Sequence, residues 1–78
     1  GICDDFAQLV SYTCDLYGIP CQYIASPNDG RSISKRHAWN RVCIEGTWYY
    51  IDVTWSVCYG YNAYPLSETL WEDHEQYL

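Results

Sequence analysis

Apolar and polar positions fall into blocks of different period along the chain. From Asp4 to Tyr17, the residues Phe6, Leu9, Val10, Thr13 and Tyr17 recur at helical spacing, and Asp4 and Asp5 sit in the first turn, where carboxylates favour the helix dipole. This predicts an amphipathic helix. Gly18 offers a left-handed stop and Pro20 blocks continuation, so the helix ends near Tyr17. Cys21 to Ala25 alternates as a short strand and runs into Ser26-Pro27-Asn28-Asp29-Gly30, a cluster of turn formers. The loop continues to Arg36, carries three of the four basic residues, and reads as an exposed, mobile rim beside His37.

Residues 37–45 and 47–53 are rich in β-branched and aromatic types, with Glu45-Gly46 between them as a tight hairpin turn. If these two residues form the loop, Ile44 faces Thr47, and the pairing runs outward until Trp39 faces Asp52 and His37 faces Thr54. Alternation then places His37, Trp39, Arg41, Asp52 and Thr54 on one face. His37 and Asp52 become diagonal neighbours about 7–8 Å apart at the backbone. A slip of one residue would send Asp52 to the other face. Thr54 to Tyr64 is aromatic and turn-rich and reads as irregular; after Pro65, the segment Ser67 to Trp71 predicts a final helical turn. The expected order is helix, strand, loop, hairpin and irregular tail, in a single domain over residues 1–78.

Composition narrows the function. With 78 residues the chain buries about 60–65% of the surface its unfolded form exposes, so its stability is marginal; 49% hydrophobic and 18% aromatic content nevertheless marks a packed domain. A formal charge of -6 would repel phosphates and anionic headgroups, which disfavours nucleic acid and membrane-surface partners. The apolar runs fall far short of the roughly 20 residues that span a bilayer. The chain opens at Gly1 without an initiating Met, two residues before Cys3, and the expectation is a fragment lacking upstream helices or a processed product. Five cysteines form an odd set with no metal-ligand spacing, so no metal and no cofactor is expected and at least one thiol is unpaired in a monomer. Localisation is left open; a secreted or cell-envelope setting would permit a disulfide between two of them.

Three residues could carry chemistry together. Cys3 opens the helix, where unpaired N–H groups and the positive end of the dipole stabilise a thiolate over a thiol. His37, from a strand, could complete a thiolate-imidazolium pair, and Asp52, from the next strand, could hold the imidazole in the useful tautomer. Singly, each has a plainer reading: a small buried hydrophobe, a structurally satisfied strand histidine, and an aspartate bonded to local backbone.

Four segments tip the balance: Gly1-Ile2-Cys3-Asp4-Asp5-Phe6-Ala7, Gly18-Ile19-Pro20, His37-Ala38-Trp39-Asn40 and Trp48-Tyr49-Tyr50-Ile51-Asp52-Val53-Thr54-Trp55. In order and spacing they resemble the transglutaminase-like superfamily, small bacterial members included, over residues 1 to about 55. The resemblance implies an α+β, papain-like core in which an N-terminal helix carrying the cysteine packs on a small antiparallel sheet, with Cys3, His37 and Asp52 as the catalytic set. It implies a cysteine protease, amidase or transglutaminase-like acyltransferase working on protein or peptide amides through an acyl-thioester. Family domains usually have helices ahead of the cysteine, so a missing upstream segment or a second copy of the chain could complete the site. A non-catalytic protein- or peptide-binding module on the same fold is the alternative, which the intact triad disfavours. Trp39 and Trp55 either line an acyl-binding groove or fill the core; Cys14, Cys21, Cys43 and Cys58 read as packing residues, and Arg41 as the partner of an acid. His74, among Glu72, Asp73 and Glu75, is expected to be a solvated tail residue.

Overall fold

The computed structural model describes residues 2–78; Gly1, the first residue of the first motif, lies outside that range. Helix α1 (Ile2–Leu16) is followed by strand β1 (Cys21–Ala25), a 3-10 turn at Ile33–Lys35, strands β2 (Ala38–Ile44) and β3 (Thr47–Ile51), helix α2 (Val53–Tyr59) and a 3-10 segment at Glu72–Tyr77. The three strands form one antiparallel sheet in the order β1-β2-β3.

Local chemistry explains the boundaries. Gly18 adopts φ 70°, and the Ile19 amide reaches back to the Cys14 carbonyl at 2.8 Å, a Schellman closure that only a residue tolerant of positive φ permits at that point. The hairpin turn is Glu45-Gly46, with φ 52° and 82°, as a two-residue connection matched to strand twist requires. The predicted register holds: Ile44 pairs with Thr47, Arg41 with Tyr50 and Asn40 with Ile51. Pairing stops there. The expected partnerships Trp39 with Asp52 and His37 with Thr54 do not form, because Asp52 leaves the sheet to cap α2 and its side chain accepts the Trp55 amide at 2.9 Å. The segment expected to be irregular from Thr54 is therefore helical to Tyr59. The final helical turn also moves, from Ser67–Trp71 to Glu72–Tyr77, because Ser67 is held on the β3 edge by Tyr50 (Tyr50 N–H to Ser67 O, 2.6 Å).

The sheet separates two environments. On one face, Ala38, Asn40 and Val42 are buried toward α1. The buried line of α1 is Ala7 and Cys14, flanked by half-buried Phe6, Val10 and Ser11, whereas Leu9, Thr13 and Tyr17 of the predicted stripe are exposed. Small side chains take the contact because Asn40 must reach the helix backbone: its Nδ2 donates to the Ala7 carbonyl at 3.0 Å and to Ser11 Oγ at 3.1 Å. Asn40, 1% exposed, thereby fixes the helix that carries Cys3 against the strand that follows His37. Asn40→Ala should destabilise the chain by about 1–3 kcal/mol, read as a fall of the urea midpoint at constant slope. A midpoint unchanged would show that the two bonds are not what joins helix to sheet.

On the opposite face, Arg41 does not pair with an acid; its guanidinium lies over Trp48 and Tyr50, 5.0 and 5.6 Å from the ring centres. All five thiols are free, and Cys58 is exposed, so it is not the packing residue expected. It falls near the solvent end of a helix the sequence did not reveal.

Candidate active site

Cys3 lies in the first turn of α1, half-buried, and together with Asp4, Ala25, Ser26, Arg36 and His37 it lines a cleft of about 140 Å³. Asp4 and β1 are tied at the rim: the Tyr23 hydroxyl donates to Asp4 Oδ1, and burial together with this bond pushes the Tyr23 phenol up to about 12. His37 stands just before β2 and is 5% exposed. Ser26 holds its backbone on both sides, accepting the His37 amide at 2.9 Å and donating its own amide to the His37 carbonyl at 3.0 Å. Ser26 was read only as a turn former; the chain reversal needed to bring it beside His37 is tertiary and leaves no local signal.

The imidazole of His37 is fixed from two directions. Its Nε2 donates to Asp52 Oδ2 at 2.6 Å, and Trp55 stacks on the ring, 4.5 Å between centroids and 25° between planes. With Nε2 committed, Nδ1 is the nitrogen left for the thiol cleft. Of the three residues the sequence singles out, Cys3 and His37 line one cleft, and Asp52 is bonded to His37 as a helix cap and not as a strand residue.

Two expectations need correction. Trp39 does not line a groove: it is 1% exposed and packs beneath the site, edge-on to His74 at 4.9 Å. Trp55 remains half-buried beside His37. His74 is not solvated; it is fully buried, with Nε2 2.7 Å from the same Asp52 Oδ2 and Nδ1 2.9 Å from Asp73 Oδ1. Its acidic neighbours misled because Trp71, His74 and Tyr77 recur every three residues, which on a 3-10 segment aligns them on one inward side. That spacing was the available signal.

Asp52 is the hub. Its burial pushes the carboxyl up, but hydrogen bonds from His37, His74 and the Trp55 amide outweigh this and hold it down at about 2. The sign follows from linkage: a carboxyl lowered from its ordinary 3.8 contributes stability that is complete above the unfolded value and lost as pH falls through the folded one. The contribution is about 2 kcal/mol, so unfolding free energy from urea titrations should drop between pH 5 and pH 2. A chain whose stability stayed level over that window would not depend on this carboxylate.

Among the described residues, the set His37, Asp52 and His74 is tight enough to hold a metal, its ligand atoms lying within 4.8 Å of one another. Both imidazole nitrogens already address one carboxylate oxygen at hydrogen-bond distance, and a cation would have to displace both protons from a buried position. The set is read here as a hydrogen-bond cluster. No described helix is long and apolar enough to cross a membrane.

A cysteine at a helix start, with a histidine at the head of β2 bonded to the aspartate that caps α2, defines the class: an α+β fold with a Cys-His-Asp grouping. The sequence profile of the Transglutaminase-like superfamily matches residues 1–53, and the chain belongs to that superfamily, whose members are typically enzymes. It is 36% identical over 61 residues to the kyphoscoliosis peptidase of Homo sapiens and 34% identical over 61 residues to that of Mus musculus. Each match covers 68% of this chain and 9% of the relative, so the chain spans about a tenth of their length. No solved structure matches.

Proposed function

We propose that this domain performs thiol-dependent acyl transfer or hydrolysis on protein or peptide amide bonds, with Cys3 as nucleophile, His37 as acid and base, and Asp52 as the group that orients and supports His37. The observation that carries this reading is the buried 2.6 Å contact from His37 Nε2 to Asp52, on a histidine that shares its cleft with Cys3. Family membership supports it, and the name of the human and mouse relatives, a peptidase, favours water as the acceptor.

In the reaction, the Cys3 thiolate attacks the amide carbonyl and a tetrahedral oxyanion forms. The backbone N–H of Cys3, in the first helical turn, is a candidate donor to that oxyanion. As the carbon-nitrogen bond breaks, imidazolium His37 gives its Nδ1 proton to the departing amine, leaving an acyl-thioester and a neutral ring. Water, or a second amine, then attacks the thioester; His37 accepts its proton and the Cys3 thiolate leaves, which restores the thiolate-imidazolium pair. Water yields a carboxylic acid, an amine yields a new amide.

The test is the rate of iodoacetamide alkylation at Cys3 between pH 5 and 9, mapped by mass spectrometry, in the native chain and in His37→Ala. Labelling that is fast below pH 7 and depends on His37 is expected. A rate that climbs only near the ordinary thiol value of about 8.5, indifferent to His37, would replace this reading with that of a non-catalytic binding module.

A further inference from the structure

His74 has no part in the steps above, yet it is as deeply buried as Asp52 and shares its oxygen. Its two nitrogens face two carboxylates, Asp52 at 2.7 Å and Asp73 at 2.9 Å, and both of these carboxyls lie below their ordinary range. A neutral imidazole offers one donor and one acceptor, and an acceptor nitrogen aimed at a carboxylate oxygen is repelled. Two carboxylate acceptors therefore call for a proton on each nitrogen. Aromatic rings surround it, as suits a cation: Trp55 and Trp71 lie 4.4 and 4.8 Å from the His74 ring centre, Trp39 and Tyr64 flank it, and the His37 imidazole lies 5.4 Å away. Asp73 is itself fixed from outside by the Tyr64 hydroxyl at 2.5 Å.

We propose that His74 is a positioning residue of this site: clamped between Asp52 and Asp73 with a proton on each ring nitrogen, it fixes the Asp52 carboxylate so that His37 keeps its own proton on Nε2 and turns Nδ1 to the Cys3 cleft. Asp52 Oδ1 is held by the Trp55 amide and Oδ2 by His74, so the carboxylate cannot rotate away from His37. The consequence at Cys3 rests on the acyl-transfer reading; the effect on the His37 tautomer does not.

The experiment uses long-range ¹H-¹⁵N NMR of both imidazoles in the native chain, His74→Phe, which keeps a ring without donors, and His74→Gln, which keeps one donor for Asp52. Near-UV circular dichroism verifies that each variant is folded. Expected are a proton on each ring nitrogen of native His74 and, with Cys3 alkylated so that no thiolate holds His37 as imidazolium, a His37 that carries its proton on Nε2 in the native chain and the Gln variant. In the Phe variant His37 becomes a tautomer mixture, and Cys3 alkylation at pH 6.5 slows about fivefold while the Gln variant stays within about twofold of native. An unprotonated nitrogen on native His74, or a folded Phe variant with the native His37 tautomer, overturns the proposal. Should the Phe variant not fold, the protonation of native His74 decides alone. If native Cys3 labels as an ordinary thiol, the acyl-transfer reading falls, and the His37 tautomer still decides the role of His74.

Discussion

Asp52→Ala should cost the fold about 3–5 kcal/mol, the largest loss expected from any single side chain here. Three donors end on this carboxylate, the Nε2 groups of His37 and His74 and the Trp55 amide, and all lose their acceptor at once. The imidazoles cannot turn to water, since His37 is 5% and His74 0% exposed. A chain of 78 residues has a total stability of about 4–12 kcal/mol, so the variant should be partly unfolded at room temperature or melt far below the parent. Helix α2 should fray first, its cap removed. Urea titration at pH 7 reads the effect; a variant within about 1 kcal/mol of the parent would mean that the cluster reorganises around another acceptor and that Asp52 is not its centre.

His37→Ala should act mainly on reactivity. At pH 6 a thiol with the ordinary value near 8.5 is only about 0.3% thiolate, whereas a thiolate paired with imidazolium is fully formed, a difference of about 300-fold. A less basic thiolate is also a weaker nucleophile, which offsets roughly ten- to thirtyfold of this. The variant should therefore alkylate at Cys3 about 10–30 times more slowly at pH 6, and the deficit should close and reverse by pH 9, where any thiol ionises and the more basic thiolate is the better nucleophile. On a peptide amide, where His37 must also protonate the leaving amine, the loss should reach about 10²–10⁴. Equal rates at pH 6 would separate Cys3 from His37 and sink the proposed chemistry.

Much of the architecture was legible because its determinants are local. Gly18-Ile19-Pro20 encodes a helix end that needs one positive φ, and Glu45-Gly46 encodes a turn that sets the whole β2-β3 register. Part of the rest depended on partners distant in sequence. The buried stripe of α1 follows Ala7 and Cys14 because Asn40 reaches in from β2, a demand no helical periodicity records. Helix α2 was missed because Val53-Thr54-Trp55-Ser56-Val57 has the composition of a strand; one hydrogen bond from the Asp52 side chain gives it a start. His74 is masked in the sequence by its acidic neighbours, and only the three-residue spacing of Trp71, His74 and Tyr77 marks its inward side.

The cluster joins positions 3, 37, 52 and 74, so its two outermost members are separated by nearly the whole described chain. During synthesis Cys3 emerges before the segment bearing His74. On the proposed reading, the thiol gains an ordered acid-base partner only once that segment has docked and His74 has met Asp52. On the same reading, a fast-labelling Cys3 would double as a report that the contacts joining positions 3 to 74 have closed.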